Sequence, residues 1–351
     1  MKPALARSVR LGSIALVVTG VLAYGRRFPW TTALATMRHA SVELLVLALL
    51  FHFVALSGKA GIWWTFLRPL GGPRYWTVAR GTLVGATLNS LFVGSSGEAG
   101  RVLMMSRLTG IPGASVLATV VLERAVDLVG FCTLLACVFF FFPAAQAVRV
   151  GSAAVLVVAM GIVISLRAWN RRGGRCAPGL RAHNSLAQRC GRFVLRVRLA
   201  ASAIATRRRL AIALVLTLVD WCSELASYSI VARAAHFPLG VRGSLLALLA
   251  VNVAFLIRVT PGNVGVFELV YATVAHSLGL PTDVAIGVAL TLHLVQDVPT
   301  ALLGITLGLR VFMLSVSRSA SVPGIPVLRQ PPLVTAAPTA PRTEPVRGTL
   351  L

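Results

Sequence analysis

Acidic residues are scarce: the 351-residue chain has ten Asp and Glu against 34 Lys and Arg. Charge of either sign is thin as well, at 13%, where a soluble domain carries about 25%. An ordinary water-soluble fold is excluded on that ground. Cysteines are few and form no CxxC: Cys132, Cys137 and Cys222 lie in apolar runs, and Cys176 and Cys190 in a basic stretch. A disulfide framework is therefore not expected. Cys176, His183 and Cys190 are evenly spaced, but a structural zinc site takes about four ligands, so no metal is expected. There is also no HExxH, GxSxG or P-loop, and no soluble stretch large enough to hold a nucleotide. No cofactor is expected, and the chain does not read as an enzyme.

What the sequence has in quantity is apolar length. Hydrophobic residues make up 56% and the mean hydropathy is +0.82. Apolar runs long enough, or nearly so, to cross a hydrocarbon core of about 30 Å fall at 11–25, 40–58, 114–142, 151–168, 210–235 and 283–312. The first follows Lys2, Arg7 and Arg10 without a small-x-small cleavage site, and reads as a retained helix. Two more stretches are apolar but interrupted, 77–110 by Gly94-Ser95-Ser96-Gly97 and 244–279 by Thr260-Pro261-Gly262-Asn263. Their halves are too short to span comfortably and suit re-entrant helical hairpins. Such broken backbone survives at membrane depth only where protein or a water-filled cavity covers it. The expected fold is an all-α polytopic membrane protein with about six full spans and two re-entrant hairpins, eight hydrophobic segments in all.

The basic residues orient this arrangement. With the N-terminus inside and both hairpins returning to the side they entered, the inside segments hold 26 Lys and Arg and the outside segments five. The positive-inside rule then gives N-in and C-in, with 59–80 counted among the inside loops. The stretch 167–209 has twelve Arg and no acid, and reads as a cytoplasmic loop against anionic headgroups. Trp169 and Phe193 are its only aromatics, too few for nucleic-acid stacking, so no nucleic-acid partner is expected. From Ser315 the chain has seven prolines in 37 residues and reads as a disordered tail over 315–351, following a transmembrane domain over 1–314.

The interrupted stretches resemble each other. The first runs Gly81, Asn89, break, Gly97-Glu98, Gly110-Ile111-Pro112, then a long helix with Glu123, Arg124 and Asp127. The second runs Gly243, Asn252, break, Gly265 and Glu268, Gly279-Leu280-Pro281, then a long helix with His293 and Asp297. With one hairpin entering from each side, the halves at about 77–142 and 243–312 form an inverted repeat. Secondary transporters bind substrate at such interfaces, with half-helix N-termini facing anionic groups.

The few acids stand where a membrane penalises them: Glu43, Glu98, Glu123, Asp127, Asp220, Glu224, Glu268 and Asp297 lie in or beside apolar segments. A charge at the bilayer centre costs about 2.5–3.5 kcal/mol on insertion scales. Glu123 with Asp127, Asp220 with Glu224 and His293 with Asp297 lie four apart and share helix faces. Arg124 beside Glu123, and Arg101 after Glu98, supply counter-charges. The bland alternative is buried pairs that hold helices together, which weighs equally for Asp220, Glu224 and Glu43. His52, His236 and His276 read as packing or interfacial residues.

Three of these segments carry a resemblance. Gly97-Glu98-Ala99-Gly100-Arg101, Val121-Leu122-Glu123-Arg124-Ala125-Val126-Asp127 and Pro261-Gly262-Asn263-Val264-Gly265-Val266-Phe267-Glu268 resemble the GE-x-x-R, ER-x-x-D and PGG-x-G-x-x-E signatures of the lysylphosphatidylglycerol synthase transmembrane region, a flippase-like family. The resemblance spans about residues 10–312. It implies a multi-pass inner-membrane protein and, from the bifunctional members, movement of an aminoacylated phosphatidylglycerol between leaflets; other relatives are linked to polyprenyl-lipid glycosylation or hopanoid pathways. Three positions depart from the pattern: Ser96 replaces a basic residue, Gly94 a proline and His293 the second-half arginine. The chain ends without the aminoacyl-transfer domain of bifunctional members, so lysyl transfer is not expected.

The function expected is binding and translocation of an anionic or modified-headgroup lipid across the inner membrane. Its headgroup would sit between the hairpin tips, contacted by Glu98, Arg101, Glu123, Arg124, Asp127, Glu268, His293 and Asp297, with the breaks at Gly94, Gly97, Pro261, Gly262 and Gly265. Membrane lipids, and a lipid-modifying enzyme, are the expected partners. The alternative is an accessory scaffold subunit of a lipid-modifying or glycosyl-transfer system; an intramembrane lipid transferase using the acids as general acid and base is a third.

Overall fold

A computed structural model describes residues 30–92, 96–141, 204–255 and 260–309, together with 191, 197, 200 and 201. The expected spans at 11–25 and 151–168, Gly94, most of the basic loop and the proline-rich tail lie outside the described residues. Those described form helices and no strand. In chain order these are α1 (Trp30–Arg38), α2 (Val42–Gly71), α3 (Tyr75–Leu91), α4 (Ser96–Thr109), α5 (Gly113–Phe141), α6 (Arg207–Ala234), α7 (Gly240–Ala254), α8 (Val266–Ser277) and α9 (Thr282–Leu303). A 3₁₀ turn, Pro261–Asn263, precedes α8, and a π-helical turn, Gly304–Leu309, extends α9.

Among the described residues three helices are long and apolar enough to cross a membrane: Val42–Gly71, Arg207–Ala234 and Thr282–Gly308. Their outward sides are apolar. Val42, Val46, Leu50 and Val54 make an exposed stripe at helical spacing on α2, as do Val215, Leu218 and Val219 on α6 and Leu294, Val298 and Leu302 on α9. The inward sides hold the buried polar groups, among them Thr217, Asp220, Thr291 and His293. An apolar exterior around a polar interior is the arrangement a lipid solvent selects. α5 is as long, 29 residues, but carries Glu123, Arg124 and Asp127.

One helix runs past the end of its apolar run. The apolar run ends at residue 58, yet α2 continues without a break to Gly71. Lys59, expected in a loop, is thus a helix-interior residue. Its charge is matched by Asp220, 3.8 Å away on α6, and Gly58 and Gly61 let α6 approach α2 along this face. At 1.5 Å per residue the 30-residue helix is roughly 45 Å long, more than the hydrocarbon core requires.

The two interrupted stretches fold as helical hairpins. In the first, Gly81 lies by Met105 and Gly85 by Arg101, so α3 and α4 run antiparallel. In the second, Gly243 lies by Leu278 and Phe255 by Phe267, so α7 and α8 do the same. Each hairpin is followed by a long helix, α5 and α9.

Candidate functional site

The first hairpin is closed at backbone level. The Gly97 N–H donates to Asn89 Oδ1 (2.8 Å) and Ser96 Oγ to the Leu88 carbonyl (3.0 Å). A Cβ on Gly97 would stand 2.0 Å from the Gly85 carbonyl oxygen, so only glycine permits this crossing. The closure places Glu98 in the first turn of α4 and Arg101 one turn later.

Both meet α5, in a crossed order. Arg101 Nη1 lies 3.0 Å from both carboxylate oxygens of Glu123, with Arg101 and Glu123 buried at 5% and 6% exposure. The guanidinium stacks on Trp63, 4.7 Å from the ring centre, while the Trp63 indole N–H donates to Thr119 Oγ1. Arg124 Nη2 donates to Glu98 Oε1 at 2.6 Å and its Nη1 to Asp127 Oδ2 at 3.5 Å. Asp127 also accepts from the Trp221 indole N–H (3.2 Å). The sequence-based pairing of Arg124 with Glu123, and of Arg101 with Glu98, is therefore corrected. Adjacent residues on a helix point about 100° apart and cannot pair, and Arg101 turns into the core against Trp63. One guanidinium nitrogen of Arg101, Nη2, is buried without a hydrogen-bond partner.

The Arg124 side chain is half-exposed, at 50%. Beside Glu98 an open groove of about 430 Å³ runs between α4 and α5, lined by Val102, Leu103, Ser106 and Leu117 among others. Charged and apolar surfaces thus adjoin at one place.

The second hairpin carries a corresponding set. Glu268, in the first turn of α8, accepts from the Gly265 N–H (2.6 Å), half of a capping box. Its other oxygen lies 2.7 Å from His293 Nδ1, and His293 Nε2 lies 2.5 Å from Asp297. An imidazolium satisfies both carboxylates with its two N–H groups. Phe267 packs against the His293 ring, 4.7 Å between centres. Arg124 and His293 each stand eleven residues into their helix, after Gly113 and Thr282, and each links the acid of the preceding hairpin to an acid one turn on.

The hairpin tips meet. Ser90, at the end of α3, donates to Asp297 Oδ1 (3.4 Å), and a Cβ on Gly262 would lie 3.2 Å from the Ser90 carbonyl. The turn Pro261–Asn263 therefore rests on α3, with Gly262 at φ +60°. All eight expected charged residues fall in these two sets. Glu43 does not belong: it is exposed in the first turn of α2. His236 and His276 lie outside these sets and meet the carbonyls of His39 and Leu280.

A third set gathers around Asp220 and Glu224, whose partners His52 and Lys59 were missed. His52 is no lone packing residue: its Nδ1 lies 3.5 Å from Glu224 and its Nε2 3.0 Å from Thr300 Oγ1. Lys59 Nζ lies 3.8 Å from Asp220 and 3.9 Å from Glu224. Gln296 donates to Glu224 (3.0 Å). The available signal was the seven-residue spacing of His52 and Lys59, which puts them on one helix face.

Against known proteins, a family model described as the lysylphosphatidylglycerol synthase TM region matches residues 10–304. The chain belongs to this family. It is a multi-pass membrane protein of the lysylphosphatidylglycerol synthase TM region, and the residues of both hairpins and of α5 and α9 lie almost wholly within the match. No curated protein matches the sequence.

Proposed function

We propose that this family member binds and translocates an anionic or modified-headgroup lipid across the inner membrane, without chemistry on the lipid. The observation that carries the reading is the meeting of the two hairpin tips, with half-exposed Arg124 paired to Glu98, which lines an open apolar groove. In this reading Arg124 takes the phosphate, since a guanidinium matches its geometry. Glu98 and Asp127 take any cationic or hydroxyl part, and an acyl chain follows the groove. The hairpins are re-entrant and enter from opposite sides, so that α3–α5 and α7–α9 are inverted copies, with N-in and C-in topology. Membrane lipids are the ligands, with a lipid-modifying enzyme as supplier; no cofactor or nucleic acid takes part.

Proteoliposomes holding the full chain and labelled phosphatidylglycerol test this reading. Wild type should move the lipid between leaflets. Arg124→Ala should slow movement about tenfold or more, a loss of about 1.4 kcal/mol or more, and Glu98→Gln several-fold. Unchanged rates in both variants would remove the lipid from this site. No movement of any lipid, with copurification of a lipid-modifying enzyme, would replace transport by a scaffold role.

A further inference from the structure

The third set is separate from the two hairpin sets and holds the most buried acid among the described residues, with the 41%-exposed Lys59 side chain at its edge. Asp220 is 1% exposed. Three elements packed on α6 contribute to its surroundings: α2 brings His52 and Lys59, α5 brings Glu123, Arg124 and Asp127, and α9 brings Gln296 and Thr300. α7 has one titratable side chain, Arg242, in its first turn.

Charge does not balance within the set. Lys59 supplies one positive charge against Asp220 and Glu224, so with a neutral His52 the set is one proton short of neutrality. An uncompensated charge is costly at this depth. The hydrogen bonding is incomplete as well. Three buried atoms lack a hydrogen-bond partner: Asp220 Oδ1, with Lys59 too far at 3.8 Å, His52 Nδ1, and Thr217 Oγ1 one turn before Asp220. A metal ion would have to displace the Lys59 ammonium, which already occupies the place between the two carboxylates. The missing species is small and positive.

We propose that His52, Lys59, Asp220 and Glu224 form a proton-binding site that couples lipid translocation to proton movement. The coupling rests on the transport reading above; the proton site stands by itself. The wiring is through chain neighbours. Trp221, next to Asp220, holds Asp127 of the Arg124 set. Gln296, which holds Glu224, precedes Asp297 of the His293 set. A proton taken up here weakens the hold of the carboxylates on Lys59, which also interacts with the charges of Asp127 and Arg124. Uptake thus reaches both hairpin sites through one helix each, α6 and α9.

Two measurements test the site. Infrared difference spectra of the purified full chain between about pH 5 and 9 should show a protonated-carboxyl C=O band, lost in Asp220→Asn. Absence of that band in wild type, or its persistence unchanged in both Asp220→Asn and Glu224→Gln, would overturn the proton site. In proteoliposomes a transmembrane pH step should change the lipid translocation rate several-fold in wild type and not in His52→Gln or Asp220→Asn. A response that survives in both variants, or that follows a sodium gradient instead, would overturn the coupling while lipid transport stands. Lipid movement absent in wild type at every pH, with the carboxyl band present, would overturn the transport reading and the coupling but keep the proton site.

Discussion

The two hairpins carry the same plan with the linking cation placed differently, half-exposed in the first and buried in the second, although the outer acid of the second, Asp297, is itself 40% exposed. In the first, Arg124 joins Glu98 to Asp127 with half its side chain exposed, and Glu98 lines an open groove. In the second, His293 joins Glu268 to Asp297 at 8% exposure, its ring packed on Phe267. A guanidinium keeps its charge and has donors to spare for an incoming phosphate. An imidazole with a carboxylate on each nitrogen has none left. The first set is built to exchange partners and the second to hold its own, so one hairpin can act as the receiving side and the other as its anchor.

That contrast breaks most visibly at the buried set. His293→Ala leaves Glu268, 2% exposed, without its cationic partner. Removing one member of a buried pair costs about 3–5 kcal/mol, and thermal unfolding in detergent should show a loss of that order. Arg101→Ala should behave the same way, because Glu123 is equally enclosed. A loss below about 1 kcal/mol in both would mean these pairs are solvated and would erase the distinction between anchor and receiver.

A middle-sized effect is expected where the first hairpin closes. Gly97→Ala drives a methyl into the Gly85 carbonyl, and neither backbone can yield without parting α3 from α4. Overpacking of this kind costs about 1–3 kcal/mol. Cleavage by protease near the hairpin should rise in step, while the second hairpin, closed by Gly265 and Glu268, keeps its protection.

How much of this was legible in the sequence follows from what each contact depends on. Breaks at Gly97 and at Pro261-Gly262 interrupt apolar runs, so both hairpins and their long partner helices could be read. The acids stood out because a membrane penalises them, and all eight expected site residues gather in two sets. Their pairing could not be read, since nothing local tells Arg101 to stack on Trp63 and leave Glu98 to Arg124. The helical setting of Lys59 was hidden for a related reason: hydropathy ends a span at a charge, and the acids that match this one, Asp220 and Glu224, stand on a distant helix. Pairing between remote helices is a tertiary property, while helix breaks are local.

The smallest change in stability is expected at the residue with the largest expected effect on transport. Arg124→Ala removes an ion pair that water or headgroups already screen, and exposed pairs of this kind contribute about 0.2–1 kcal/mol. The unfolding midpoint of the variant should therefore stay close to that of wild type, while His293→Ala falls well below both. The two carboxylates left behind, Glu98 at 20% and Asp127 at 27% side-chain exposure, can be hydrated where Glu268 cannot. If Arg124→Ala instead loses as much stability as His293→Ala, Arg124 is a clamp between α4 and α5, and the groove beside it loses its claim to be the receiving side.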